Sequence, residues 1–165
     1  NEKIKEITIE NNEKIKSNDT LEISSEFKDA IRILLVEDVL INQRVVVSFL
    51  NKIGFNNIEV ADNGRICLEM LVKKKYDIIL LDIRMPILNG ETVFKYIVNY
   101  YKTFKGDYKL LSDKQPYVVA VTAYSLREDR EKYLNMGFDD YIPKPINYRQ
   151  LNDCMNNFLR MALES

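Results

Sequence analysis

Five polar side chains in this 165-residue sequence stand at the ends of short apolar runs. Three are carboxylates, which repel one another unless a cation joins them, and oxygen-only ligands favour magnesium or manganese over zinc or copper. The other two, a hydroxyl and an ammonium, would add a hydrogen-bond donor and a positive charge, so the set is suited to holding a phosphoryl group. The five residues are Glu37, Asp38, Asp82, Thr122 and Lys144.

The elements that must position these groups are predicted from the alternation of aliphatic runs with segments of helical periodicity. From Ile31 onward this alternation predicts an α/β fold, a doubly wound (βα)5 five-stranded parallel sheet with helices on both faces. The usable crevice of such a sheet lies beyond the carboxyl ends of its strands, where the five polar groups would meet. Any one of them alone would be an ordinary loop residue or helix cap, whereas five together indicate a site.

The first helix is predicted by Ile41, Val45, Phe49 and Ile53, which recur every four residues before Gly54. A helix is also predicted after each later strand. The most apolar of the strands, at 76–81, is expected in the middle of the sheet. The five runs that predict strands are Ile31–Val36, Asn57–Ala61, Tyr76–Leu81, Val118–Val121 and Tyr141–Ile142.

Composition excludes several classes of function. The chain has no histidine, which removes histidine-based triads, histidine-containing zinc sites and a histidine general base. Its 24 basic and 25 acidic residues lack the basic surplus of a nucleic-acid-binding protein. Cys67 and Cys154 suggest packing, since they form neither a metal-binding spacing nor a disulfide framework. No apolar run is long enough to span a membrane. We therefore expect a cytoplasmic protein, either free or tethered to a membrane sensor through upstream segments, with no nucleic-acid partner and no direct membrane contact from this segment.

Two regions are expected in the chain. Residues 1–29, rich in charged residues and asparagine without a sustained period, predict a linker, a flexible N-terminal segment or a marginal helix ending near Phe27. Residues 30–165 predict one folded domain, because 46% apolar content is ample for a single core. The start at Asn1 rather than at a methionine suggests a segment of a longer polypeptide.

Four motifs, in this order, resemble the receiver domain of two-component response regulators. The resemblance covers about residues 31–163 and implies the flavodoxin-like form of the predicted fold. The stretch Glu37–Gln43 is similar in particular to the receivers attached to hybrid sensor histidine kinases. The four motifs are Leu34–Asp38, Asp77–Pro86 with Asn89 and Gly90, Val121–Ala123, and Gly137–Pro145.

The resemblance assigns roles to the residues at the strand ends. It implies that Asp82 accepts a phosphoryl group from a phosphohistidine of a histidine kinase or histidine phosphotransfer protein, or from a small acyl phosphate. Asp38 and Asp82 would bind Mg²⁺ directly together with the backbone carbonyl of Arg84, and Glu37 would act through a bound water. Lys144 would neutralise a phosphoryl oxygen. Because the chain lacks histidine, the phosphohistidine must come from another chain or an upstream segment.

A threonine–aromatic switch is also implied. A phosphoryl group brings nearly two negative charges, so the Thr122 hydroxyl would move toward it and Tyr141 would fill the vacated space. The simpler alternative for Tyr141 is a half-buried strand residue. The response would appear over residues 123–159, the face that the fourth helix, fifth strand and fifth helix form in the family, where a homodimer could also form.

Further resemblances concern the surroundings of the site. Arg84 and Tyr124, two positions after Asp82 and Thr122, would screen the acyl phosphate from water, so slow self-hydrolysis is expected. The Lys144–Pro145 bond resembles one that is cis in the family. About ten additional residues, in Phe104–Gln115, have no assigned role.

Several functions stay open. The first is a phosphorylatable receiver that promotes its own phosphorylation and dephosphorylation without being a separate turnover enzyme. It would be the C-terminal module of a hybrid histidine kinase, because no effector domain follows the last predicted helix, although a stand-alone response regulator would look similar. The second is a receiver-like protein-docking module that is not phosphorylated. The third is a magnesium-dependent phosphohydrolase, against which Arg84 stands where a second aspartate is expected.

Overall fold

The computed structural model describes residues 23–103, 114–123 and 127–164, and in these ranges strands alternate with helices. The elements are α1 (Ser25–Ala30), β1 (Ile33–Val36), α2 (Leu40–Ile53), β2 (Ile58–Ala61), α3 (Gly64–Lys73), β3 (Ile78–Asp82), α4 (Gly90–Thr103), β4 (Tyr117–Thr122), α5 (Arg127–Met136), β5 (Asp140–Pro143) and α6 (Tyr148–Glu164).

The sheet has five parallel strands in the order β2-β1-β3-β4-β5, which confirms the predicted doubly wound α/β fold. Strand β3 lies in the middle, as its uninterrupted apolar run predicts, and all its residues are buried. Alternate residues point to opposite faces of a strand, so Ile33 and Leu34 contribute to different cores. One core lies under α2 and α6, and the other lies under α3, α4 and α5. Helices therefore cover both faces of the sheet.

Helix α2 confirms the predicted helix, although only the second half of the four-residue repetition, Phe49 and Ile53, faces the core. Gly54 ends the helix with a φ of 105°, and its N–H donates to the carbonyl of Leu50 at 3.1 Å. The residues that enter the core are Val46, Leu50 and Ile53. Ile41 and Val45 are 63% and 39% exposed. Helix α2 therefore carries a second apolar face, directed to solvent.

Helix α1 precedes the first strand and crosses the expected boundary between residues 29 and 30. Its Phe27 is completely buried in the core beneath α2 and α6. The Lys28 ammonium donates to the carbonyl of Ile53 at 2.9 Å, which fastens α1 to the end of α2. The folded unit thus includes residues before position 30. The division into residues 1–29 and 30–165 stays a prediction, because residues 1–22 lie outside the described ranges.

Candidate functional site

The carboxyl edge of the sheet brings the predicted polar groups together. Glu37 directly follows β1, Asp82 and Thr122 are the last residues of β3 and β4, and Lys144 follows β5. Parallel pairing aligns these ends, since Asp82 is in register with Val121 and the Lys144 N–H donates to the Thr122 carbonyl at 2.7 Å. Because all neighbouring strands run in one direction, residues distant in sequence share one edge.

The Lys144 ammonium links two buried carboxylates at the centre of this edge. Its Nζ lies 2.7 Å from Oδ2 of Asp82 and 2.8 Å from Oε2 of Glu37. Only 2% of the Asp82 side chain and 3% of the Glu37 side chain are exposed, whereas Lys144 reaches partly into solvent. Buried carboxylates require such partners, because an unpaired buried charge is costly.

Backbone N–H groups hold the same carboxylates in place. The N–H of Arg84 donates to Oδ1 of Asp82 at 3.0 Å, and the N–H of Val39 donates to Oε1 of Glu37 at 3.1 Å. The Asn42 amide also donates to Oε1 of Glu37, at 3.2 Å. These charge-assisted hydrogen bonds fix both side chains, so the two carboxylates are oriented before any ligand binds.

Three carboxylates converge at this edge, and their charge exceeds that of the ammonium beside them. Oxygen atoms of Glu37, Asp38 and Asp82 all lie within 4.8 Å of one another. Asp38 is exposed, so an ion has access to it from solvent. One ammonium against three carboxylates leaves excess negative charge, and a donor set made only of oxygens fits a hard divalent cation. The predicted carboxylate cluster is present, and its geometry fits Mg²⁺.

Burial and charge act against each other on the pKa values of the central ion pair. Burial raises the pKa of Asp82 above its ordinary value, although the hydrogen bond from Lys144 works in the opposite direction. Burial also lowers the pKa of Lys144, but its hydrogen bonds to Asp82 and Glu37 outweigh this effect and leave that pKa raised. Lys144 therefore carries its positive charge at neutral pH and pairs with Asp82 and Glu37.

Two backbone features shape the loop that follows Asp82. A Cβ atom at Gly90 would overlap the Asp82 carbonyl and the backbone of Ile83, so only glycine permits this close approach. Ile87 has a φ of 71°, which is a strained value for a β-branched residue, and 78% of it is exposed. The loop that follows Asp82 therefore exposes an apolar side chain to solvent.

The Lys144–Pro145 bond is cis, as the resemblance implied.

The structure adds Tyr133 of α5 to the predicted pair Thr122 and Tyr141. Thr122 is completely buried and Tyr141 half-buried. The rings of Tyr133 and Tyr141 stack with centroids 6.1 Å apart and planes 20° apart. Tyr133 is almost completely buried, and its ring also contacts Phe138 edge-on. Tyr133 falls within a predicted helix, and its sequence context carries no signal of these contacts.

Of the two residues expected to screen the acyl phosphate, Arg84 lies within the described ranges and Tyr124 does not. Arg84 is exposed, and its backbone N–H donates to the Asp82 carboxylate. Tyr124 lies outside the described residues, as does most of the Phe104–Gln115 segment.

The fold and the acidic edge describe an α/β domain with a carboxylate cluster at the carboxyl ends of its strands, and comparison with known families gives its class. A family model of the response regulator receiver domain matches residues 33–156. The chain therefore belongs to the response regulator receiver domain family, the signalling module of two-component and phosphorelay systems.

Individual relatives support the same assignment. Hybrid signal transduction histidine kinase K of Dictyostelium discoideum is 35% identical over 137 residues, which cover 83% of this chain. The receiver domain of Saccharomyces cerevisiae Ssk1, solved with the phosphotransfer protein Ypd1, is similar with a TM-score of 0.70 at 30% identity, covering 79% of this chain and 90% of that one. The receiver domain of sensor histidine kinase PA1611 from Pseudomonas aeruginosa, solved with a coordinated magnesium ion, gives 0.61 at 27% identity, covering 82% and 98%.

The chain is short beside its curated relatives. It spans 11% of the length of the Dictyostelium kinase. Among the described helices, none combines the length and apolar character needed to cross a membrane.

Proposed function

We propose that this receiver accepts a phosphoryl group on Asp82 and relays the signal through its switch residues. The observation that carries the proposal is the environment of the Asp82 carboxylate. It is buried at the carboxyl edge of the sheet, held by the Arg84 N–H at 3.0 Å and by Lys144 at 2.7 Å, and grouped with two further carboxylates. A module used only for docking has no physical need for such an arrangement.

The chain's own residues are sufficient for in-line transfer. A carboxylate oxygen of Asp82 forms a bond to phosphorus while the bond from phosphorus to the donor imidazole breaks, and the electron pair leaves with the imidazole. No general base is required, because Asp82 is already an anion when it attacks. Lys144 stands beside Asp82 and offsets charge on the phosphoryl oxygens. Rate enhancement then comes from positioning and electrostatics.

The carboxylate cluster supports a proposal for the residues that would hold Mg²⁺. Asp38 and Asp82 are the direct ligands in the proposal, together with the backbone carbonyl of Arg84. Glu37 would act through a bound water, as the resemblance to receiver domains implies. When bound, the ion supplies positive charge that offsets the charge of the transferred group.

Phosphorylation would be read out through Thr122 and Tyr141. The buried Thr122 hydroxyl turns toward the phosphoryl oxygens, and the half-buried ring of Tyr141 follows into the space. Helix α5, strand β5 and helix α6 adjoin these residues, so this surface is the proposed output face. A homodimer through the same face would appear as a higher mass in light scattering after activation.

The phosphoryl donor in the proposal is a histidine kinase or a histidine phosphotransfer protein. Apolar side chains exposed close in sequence to the site would contact it. The residues are Val39, Leu40, Ile41 and Val45 on one side and Ile87 on the other. The similar Ssk1 receiver, solved with Ypd1, supports a phosphotransfer protein as donor. The Dictyostelium relative supports a hybrid histidine kinase as the full-length protein, with a stand-alone response regulator as the alternative.

Labelling of the protein by acetyl phosphate in Mg²⁺ tests the proposal. We expect intact-mass spectrometry to show the addition of one phosphoryl group to the parent and none to Asp82→Asn. Asp153→Asn on α6 is a control for loss of an exposed aspartate. A parent that gains no mass, and that shows no change in its NMR spectrum with beryllofluoride, would leave the docking module as the function.

Slow loss of the phosphoryl group is proposed to depend on Arg84 and Tyr124. Their side chains would exclude attacking water from the acyl phosphate. We expect Arg84→Ala combined with Tyr124→Ala to shorten the half-life of labelled protein, measured after removal of acetyl phosphate. A half-life equal to that of the parent would refute this role.

A further inference from the structure

The Gln43 side chain is buried near the start of α2, beside the acidic edge but outside the carboxylate cluster. Its amide nitrogen donates two hydrogen bonds, to the Glu37 carbonyl at 2.8 Å and to Oδ1 of Asp62 at 2.9 Å. A backbone carbonyl and an ionised carboxylate only accept hydrogen bonds, so the NH₂ group faces them and both of its hydrogens are used. The Gln43 amide therefore bridges the residue after β1 and the residue after β2.

This bridge holds the peptide group between Glu37 and Asp38. The Glu37 N–H donates to the Ala61 carbonyl at 3.1 Å, which continues the pairing of β1 with β2. Strand β2 ends at Ala61, and the Gln43 amide supplies the donor for the Glu37 carbonyl. That carbonyl belongs to the same planar peptide group as the Asp38 nitrogen. Gln43 therefore fixes the direction in which the chain enters Asp38.

Asp38 depends on its backbone for its position more than the other two carboxylates do. Lys144 and backbone N–H groups hold the side chains of Glu37 and Asp82. Among the described residues, none forms a hydrogen bond or an ion pair with the exposed Asp38 carboxylate. Magnesium requires nearly ideal octahedral geometry with bonds of about 2.0–2.1 Å, so a small displacement of one ligand weakens its binding. The orientation of the peptide before Asp38 therefore affects how well this carboxylate reaches the ion.

We propose that Gln43 is a positioning residue that keeps Asp38 in the geometry required by Mg²⁺ and so raises both affinity and selectivity for this ion. The inference rests on the part of the proposed function that makes Asp38 a ligand. Gln43 acts through the backbone, since both hydrogens of its amide are engaged by Glu37 and Asp62. Calcium binds in flexible geometry at about 2.3–2.6 Å, so its binding depends much less on this support.

Gln43→Met tests the role with an unbranched apolar side chain that has no donor. We expect Mg²⁺ to bind roughly fivefold more weakly, the effect of one lost hydrogen bond on the population of the binding geometry. Calcium should lose less than about twofold, because it tolerates a displaced ligand. The ratio of the two affinities is the readout that a purely structural role would not change.

Val46→Ala is the matched control for lost stability. Val46 lies on the same helix and is buried in the core beneath α2 and α6, away from the acidic edge. Its truncation removes apolar contacts and leaves the Gln43 bridge in place. We expect this variant to unfold more easily than the parent and to bind Mg²⁺ and Ca²⁺ with parental affinities.

Two variants of Asp62 test the bridge from its other end. Asp62→Asn and Asp62→Ala remove the same charge, but only asparagine keeps a side-chain oxygen that can accept from Gln43. Asp62 does not belong to the carboxylate cluster, so the difference between the two variants reports on the bridge. We expect Asp62→Asn to bind Mg²⁺ about twofold more tightly than Asp62→Ala. Equal affinities would contradict a bridge that supports the ion.

Isothermal titration calorimetry of Mg²⁺ and Ca²⁺ into each protein measures these affinities. An Mg²⁺ affinity of Gln43→Met within about twofold of the parent's would overturn the inference while the proposed function stands. Equal losses for the two ions would also overturn it, because geometry would not be the cause. A parent that binds Mg²⁺ but gains no mass from acetyl phosphate would overturn the proposed function and leave the role of Gln43 intact. A parent that binds no Mg²⁺ would overturn both.

Discussion

Replacement of Asp38 by asparagine should stabilise the metal-free protein by about 1 kcal/mol. Carboxylate oxygens of Asp38, Glu37 and Asp82 lie within 4.8 Å of one another. At this distance each repulsion is worth about 1 kcal/mol at the dielectric constant of water and about 2 kcal/mol at half that value. Asp38 feels two such repulsions, and the ammonium of Lys144 offsets one of them. Since Asp38 is exposed, the lower estimate applies.

Magnesium should reverse this order of stability. An ion that binds only the folded state adds about 2.7 kcal/mol at a hundred times its dissociation constant. Asp38→Asn replaces one charged ligand by a neutral one, so it should gain less than the parent at the same concentration. The parent then becomes the more stable of the two. We therefore expect Asp38→Asn to be more stable than the parent in the absence of Mg²⁺ and less stable at high Mg²⁺. This reversal would indicate that the carboxylate cluster binds a cation.

Urea unfolding followed by circular dichroism, in EDTA and at several Mg²⁺ concentrations, measures both effects. Asp153→Asn on the exposed side of α6 is the control, and it should differ little from the parent under either condition. Lower stability of Asp38→Asn in EDTA would refute the repulsion. Equal gains from Mg²⁺ in Asp38→Asn and the parent would refute Asp38 as a ligand.

Three more predictions concern the framework. Phe27→Ala should lower the free energy of unfolding by about 3 kcal/mol in urea titrations, because it empties a fully buried ring position; an effect below about 1 kcal/mol would show that α1 is not docked. Gly90→Ala should slow labelling of Asp82 by acetyl phosphate, since its Cβ would displace the Asp82 carbonyl, and an unchanged rate would contradict this. Burial raises the pKa of Cys67 from 9.0 to about 12 and also raises that of Cys154, so neither folded thiol should react with a disulfide reagent at pH 8. As the pH rises, the Cys67 thiol ionises in the unfolded chain before it ionises in the folded protein. The stability that neutral Cys67 contributes is therefore present below pH 9.0 and is lost as the pH rises toward about 12. We expect the free energy of unfolding to fall over this range.

The acidic site was predictable from sequence because strand ends are marked clearly in this chain. The run ending at Leu81 stops abruptly at Asp82, and the run ending at Val121 stops at Thr122. In a parallel sheet such residues must share one edge, so no further information was needed to group them. The central place of β3 followed from the same reasoning, since a strand buried on both faces needs neighbours on both sides.

Other features depend on contacts that periodicity does not encode. Ile41 and Val45 repeat at helical spacing yet face solvent, because α2 has two apolar faces and the pattern cannot tell which one meets the sheet. Helix α1 is only 6 residues long, too short for a periodic signature, and it is secured by the buried ring of Phe27 and the hydrogen bond from Lys28 to Ile53. The ring contacts of Tyr133 with Phe138 and Tyr141 arise only when α5 packs against the β5 region, so residue spacing within α5 gave no indication of them.

The attachment of α1 determines from which side the module can be approached. Phe27 and Lys28 fasten the incoming chain beside Ile53, at the end of α2 remote from its start near Asp38. The described part of the chain therefore begins at the end of the receiver opposite the acidic edge. A phosphohistidine carried by a domain joined before Ser25 would have to reach Asp82 across the length of α2, about 20 Å for its 14 residues at 1.5 Å per residue.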